Sequence, residues 1–148
     1  MIDVREMLYG EHHMACDLVR ENWGEPAAER ALMQMGEYFR GGPYAPRFFV
    51  ADRPNGGKAL AGFAAYAPTM LMNGDYDLIW LTVTADLQWA GIGSALTRHR
   101  IAEVRRAGGS TIKLSTQKPK YFARFGFRVV HEWDSWHLMV LQLETVRI

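Results

Sequence analysis

Over residues 77–109 an apolar strand, a glycine-bearing turn and a helical run follow one another without interruption, and a second strand follows at residues 111–116. The first strand holds Leu78-Ile79-Trp80-Leu81-Thr82-Val83, the turn is Gln88-Trp89-Ala90-Gly91-Ile92-Gly93-Ser94, and Gly108-Gly109 closes the helix. Two strands joined through a helix form a crossover, and a crossover places them parallel in one sheet. The chain is thereby held to an α/β architecture in which a turn between a sheet and a helix start is exposed at one end.

That turn has its own chemistry. The first N–H groups of a helix have no intrahelical partner and sit at the positive end of its dipole, so an anion is favoured there. Gly91 and Gly93 let a ligand approach the main chain closely. A phosphate-bearing ligand is the expectation; the plain alternative is a tight turn whose glycines only permit close packing.

The remaining pattern reads in order. Residues 2–7 alternate apolar and charged side chains, as a half-buried strand does. Residues 11–23 and 26–39 read as two helices, the first stopped near Gly24 and the second closed by Gly41-Gly42-Pro43. Strands are expected at 47–51, 59–67 and 76–84, joined by turns at Asn55-Gly56 and Asn73-Gly74, which makes an antiparallel meander. After the crossover come a short helix at 120–125 and strands at 127–133 and 136–143. The expected order is β-α-α-β-β-β-α-β-α-β-β: a single domain over residues 1–148, with a mixed, mostly antiparallel twisted sheet of about seven strands and about four helices. On the central helix, Ile92, Ala95, Leu96, His99 and Ala102 are assigned to the face that packs on the sheet.

Composition narrows the function. A formal net charge of +1 argues against a broad nucleic-acid footprint. The single cysteine, Cys16, excludes an intrachain disulfide and a cysteine-based zinc site, and its helical neighbours Met14, Leu18 and Val19 mark it as a packed thiol. The histidines show no recognised metal spacing, so no metal is expected, and the adjacent His12 and His13 are expected to point apart on their helix. There is no membrane-length apolar run and no signal-peptide layout, so the expected setting is cytoplasmic, with no membrane partner.

Gln88-x-x-Gly91-x-Gly93 after a strand ending in Leu81-x-Val83, followed by Tyr121-Phe122-Ala123-Arg124-Phe125-Gly126-Phe127, resembles the GNAT superfamily of acyl-CoA-dependent N-acyltransferases. The resemblance extends over the whole chain in element order. It implies that Gln88, Trp89, Ala90, Gly91, Ile92, Gly93 and Ser94 hold the pyrophosphate of acetyl-CoA, and that Leu81, Thr82 and Val83 pair with the pantetheine arm. The Val83 main-chain N–H is then the donor to the thioester oxygen. The implied reaction is direct attack of a primary amine, on a small molecule or a protein, in a ternary complex.

The general acid common in this family falls at Phe122, which leaves Tyr121 as the nearest hydroxyl; a position one residue earlier on a helix is expected to face elsewhere. The strand lacks the family's frequent glutamate, and Asp77 is the nearest substitute for a base, with Asp75 beside it. Those departures motivate a second reading, a coenzyme A-binding or regulatory module without catalysis. A dinucleotide-binding domain is disfavoured, because Gly91-x-Gly93-x-x-Leu96 lacks a third glycine. Met70 and Met72 are candidates for an acceptor pocket, together with the two N-terminal helices, the loop at 41–46 and the turn at 70–75, and Lys118 and Lys120 are candidates for phosphate contacts. Core or homodimer packing accounts for Trp80, Trp133 and Trp136.

Overall fold

The computed structural model describes residues 2–57, 59–69 and 72–143. In chain order the elements are β1 (Val4–Glu6), α1 (His12–Trp23), α2 (Glu25–Arg40), β2 (Arg47–Asp52), β3 (Leu60–Pro68), β4 (Asp75–Val83), α3 (Ile92–Arg106), β5 (Thr111–Thr116), α4 (Pro119–Ala123), β6 (Arg128–Trp133) and β7 (Trp136–Gln142). The expected order holds, with most ends shifted by a residue or two. One seven-stranded sheet runs β1-β2-β3-β4-β5-β7-β6. Only the β4–β5 pair is parallel; every other neighbouring pair is antiparallel.

Strand alternation divides β2 and β3 between two cores. Phe48, Val50, Phe63 and Ala65 point to α1 and α2, where they meet Ala15, Val19, Ala28, Ala31 and Met35. Phe49, Ala51, Ala64 and Tyr66 point the other way, to Leu96, Ile101 and Val104 of α3. Cys16 is buried in the first core, its Sγ 3.9 Å from the Met35 sulfur, and burial pushes its thiol pKa up. It is a packing residue, as expected.

The face of α3 is rotated from the expected one. Ala102 is exposed, His99 is only half-buried against Phe49, and the sheet-facing residues are Ile92, Leu96, Thr97, Arg100, Ile101 and Val104. The difference comes from Arg100, which lies in the core despite its charge. His12 and His13 also depart from expectation: their rings lie 4.1 Å apart, at the N-terminus of α1. Trp133 and Trp136 are 41% exposed each, so the protein's own core does not account for them. No helix among the described residues is long and apolar enough to cross a membrane.

The N-terminal strand is tied down by charge. Arg5 donates to Glu11 at 2.7 and 2.9 Å and to Asp52 at 2.9 and 3.0 Å, joining β1, the residue that precedes α1, and β2. Glu11 also accepts from the Leu8 N–H at 2.7 Å. The Arg5 hydrogen bonds hold the Glu11 carboxyl below its ordinary pKa, against the opposing effect of burial. A lowered folded-state pKa contributes stability above the unfolded value, and that contribution is lost as pH falls through the folded one. Glu11→Gln is therefore expected to cost about 1–2 kcal/mol near neutral pH, with the difference from wild type shrinking below about pH 4 in urea titrations. At β3, a Cβ on Gly62 would fall 2.6 Å from the Thr82 carbonyl oxygen, a backbone atom that cannot step aside. Gly62→Ala is expected to lower stability by about 1–3 kcal/mol by the same measurement.

Candidate active site

β4 and β5 begin as neighbours and then separate. Their pairing comprises Asp75 with Thr111, Tyr76 with Ile112 and Asp77 with Lys113, and stops there. Beyond that point β4 stays on β3 as far as Val83, while β5 stays on β7 as far as Thr116. The result is a wedge whose walls are the second halves of two strands.

A bulge in β4 contributes to the separation. Phe63 and Ala65 of β3 face Thr82 and Ile79 of β4, so β4 carries one residue more than its partner over this stretch. Trp80 takes up the excess with φ +58°, a backbone angle that a bulky residue rarely adopts. Its side chain is held on the α1–α2 side: the indole N–H donates to the Gln34 side chain, and the ring lies 6.2 Å from that of Trp23.

Past the bulge, strand alternation settles which groups are open. The Thr84 N–H donates to the Ala61 carbonyl at 2.9 Å, toward β3. The N–H and C=O of Val83 therefore face the wedge. Gln88 turns back and its side-chain amide donates to the Val83 carbonyl at 2.6 Å. Arg53 and Thr84 both bond Asp86 and bring its carboxyl down to about 2, which fastens the turn between strand and helix.

At the helix start Gly91 has φ +84°, a left-handed angle that suits glycine, and the main chain there leads straight into α3. A Cβ at Gly93 would meet the Tyr121 hydroxyl at 2.9 Å, and that hydroxyl is 3.3 Å from Ser94 Oγ. Tyr121 thus points at the start of α3, contrary to the expectation that it faces elsewhere. Adjacent positions on α4 do diverge, but it is Phe122 that turns into the core. The Arg124 guanidinium lies 5.3 Å from the centre of the Tyr121 ring.

The wedge opens into a cavity of about 1820 Å³. Pockets for a single drug-sized ligand are usually on the order of 300–1,000 Å³, so this one has room for two partners. Leu81, Thr82, Val83, Gln88, Trp89, Gly91, Gly93 and Ser94 line it, as do Tyr121 and Asp77. Ala90 and Ile92 do not; the Ile92 side chain is fully buried in the core. Trp89 is 99% exposed. Lys118 lines the cavity, while Lys120 does not.

Asp77 lies at the apex, on the last residue pair before the strands part. Burial raises its pKa, opposed by Lys113, whose Nζ is 3.8 Å away. Lys113 sits closer to Asp75, at 2.9 Å.

The far wall comes from the two N-terminal helices, through residues that sequence reasoning did not single out individually: Trp23 of α1, and Arg30, Met33, Gln34 and Glu37 of α2; Trp136, assigned to packing, lines the cavity as well. The α2 residues recur at helical spacing on one face, a signal present in the sequence but indistinguishable there from a solvated face. The loop at 41–46 and Met72 are absent from the lining, and Met72 is exposed; Met70 lies outside the described residues. Among the described residues no group of three or more His, Cys, Asp or Glu side chains is placed to hold a metal ion.

No protein-family model matches the sequence, and no curated protein matches it significantly. Solved structures do match in shape. A GNAT-family protein assigned as an acetyltransferase, from Desulfovibrio desulfuricans, is 23% identical with a TM-score of 0.83, covering 96% of this chain and 99% of that one. The aminoglycoside 6'-N-acetyltransferase from Enterococcus faecium is 18% identical with a TM-score of 0.76, covering 99% of each chain. The PaiA N-acetyltransferase from Thermoplasma acidophilum, solved with coenzyme A, is 14% identical with a TM-score of 0.77, covering 97% of this chain and 99% of that one. Likeness in shape at these identities establishes the architecture, and the chain has the fold of the GNAT acetyltransferases.

Proposed function

We propose that the protein is an N-acetyltransferase that moves an acetyl group from acetyl-CoA to a primary amine of a small molecule. The observation that carries this reading is the wedge: an open strand edge leading, through one 3-10 turn at Ala85–Leu87, to a glycine turn at the start of a helix. A long ligand with an amide-bearing arm and a pyrophosphate matches that sequence of groups. The arm pairs with the exposed edge of β4 at Leu81 and Val83, and the pyrophosphate takes the free N–H groups over Gly91 to Ser94. Solved neighbours with coenzyme A bound support the same ligand. The aminoglycoside acetyltransferases among them support a small-molecule amine as acceptor, entering past Trp23, Gln34 and Glu37.

Direct attack within a ternary complex is the route that fits two substrates in one cavity. The amine nitrogen bonds to the thioester carbon while the carbonyl oxygen takes on negative charge, which the Val83 N–H stabilises. The carbon–sulfur bond then breaks, and the departing sulfur takes a proton from Tyr121. Asp77, with its pKa raised by burial, receives the proton that the amine must lose by relay through water in the shared cavity, since it stands six residues from Val83 along β4.

Titrating the protein with acetyl-CoA and following thiol release across an amine panel tests the whole reading. Acetyl-CoA binding without transfer to any amine would favour a coenzyme A-binding module instead. Gly93→Leu is expected to abolish coenzyme A binding with thermal stability close to wild type, since its side chain would occupy the space between α3 and Tyr121. Tyr121→Phe is expected to reduce kcat by about 100-fold or more with little change in KM, together with loss of the basic limb of the pH–rate profile. An unaltered profile would remove Tyr121 from the acid's role.

A further inference from the structure

Arg100 is 1% exposed and is the bulkiest of the fully buried side chains among the described residues. A buried cation is ordinarily paired with a carboxylate, because removing a charge from water is costly. Arg100 donates to uncharged oxygens: Nη1 to the carbonyls of Ala65 at 3.1 Å and Ile79 at 3.3 Å, Nε to the Leu96 carbonyl at 3.2 Å and Nη2 to Thr97 Oγ1 at 3.3 Å. Its neighbours on the same face of α3, Leu96, Ile101 and Val104, show that an apolar side chain would satisfy packing there.

The two strand carbonyls identify what the charge is for. Ala65 and Ile79 are the paired residues at the edge of the β4 bulge, immediately before Trp80. A bulge disrupts the ladder locally and leaves polar backbone groups to be satisfied otherwise. One guanidinium nitrogen reaches both carbonyls from beneath the sheet. The other passes through Thr97, whose hydroxyl donates to the Gly93 carbonyl at 2.8 Å, so one network touches the bulge and the first turn of α3.

We propose that Arg100 is a positioning residue that clamps the β4 bulge and thereby keeps the edge of β4 beyond Trp80 presented to the wedge. This rests on the coenzyme A reading of that wedge. Burial lowers the Arg100 pKa to about 9, and Tyr121 of α4, which opposes that shift, is the titratable group coupled to it; β3 and β4 present only carbonyls, and α3 presents Thr97.

The test compares coenzyme A with 3'-phospho-ADP, which lacks the pantetheine arm, by calorimetry on wild type, Arg100→Met, Trp80→Gly and the double variant. Arg100→Met is expected to weaken coenzyme A by more than about tenfold and 3'-phospho-ADP by less than about threefold, because the clamp acts on the strand that meets the arm. Glycine adopts a positive φ without strain, so Trp80→Gly should keep the bulge without a clamp. The double variant is then expected to bind coenzyme A within about threefold of Trp80→Gly alone. A merely structural arginine would not be rescued this way. Should Arg100→Met fail to fold, Arg100→Lys carries the same comparison, since an ammonium keeps the charge but loses the planar fork. Equal losses for both ligands, undiminished coenzyme A affinity or absence of rescue would overturn the proposal. A wild-type chain that binds neither ligand would overturn it together with the cofactor reading, whereas the other failures leave that reading standing.

Discussion

The parallel seam between β4 and β5 is the constraint on which the rest of this molecule depends. Three residue pairs join the strands, and then each strand follows a different neighbour. A parallel pair cannot be closed by a short turn, so the intervening chain crosses over as α3. That crossover delivers the start of α3 to the open end of the wedge. Parting strands, bulge, glycine turn and helix terminus are thus successive consequences of one topological fact.

Helix coverage then determines which side of the wedge remains accessible. α1 and α2 cover the first strands on one face, with Phe48, Val50, Phe63 and Ala65 packed beneath them. On the opposite face α3 seals the sheet from Phe49 across to Leu114. The remaining space is lined by α2 residues on one side and by Trp136 and Leu138 of β7 on the other. The two walls of that space thereby come from opposite ends of the chain, which explains why no local motif describes it.

Much of this architecture was legible in the residue pattern because the pattern has strong physical causes. Strand alternation in Phe48-Phe49-Val50-Ala51, the helix stops at Gly24 and Gly41, and the glycine turn at Gly91 and Gly93 each reflect a steric or burial rule acting locally. Arg100 was not legible. A charged residue displaces the apparent apolar face of its helix, and only the carbonyls of two distant strands explain why it is buried. The bulge was hidden too, since Trp80 sits inside an unbroken apolar run and its positive φ leaves no mark on composition. Tyr121 shows a subtler limit: helical geometry says that it diverges from Phe122, but not which of the two reaches the start of α3. Lining residues Arg30, Gln34 and Glu37 could not be told from a solvated stripe until β4 was placed opposite them.

The seam also affects how this protein should respond to occupancy. With so few ladder bonds across its middle, the sheet is two blocks sharing a short edge, and the exposed edge of β4 lacks a neighbouring strand where β5 has turned away. An extended ligand that hydrogen-bonds along that edge would complete the sheet as an additional strand. Its binding energy would then add to the cohesion of the fold, so that ligand concentration and resistance to unfolding become linked variables. Turnover in such a molecule would alternate between a stitched and an unstitched sheet.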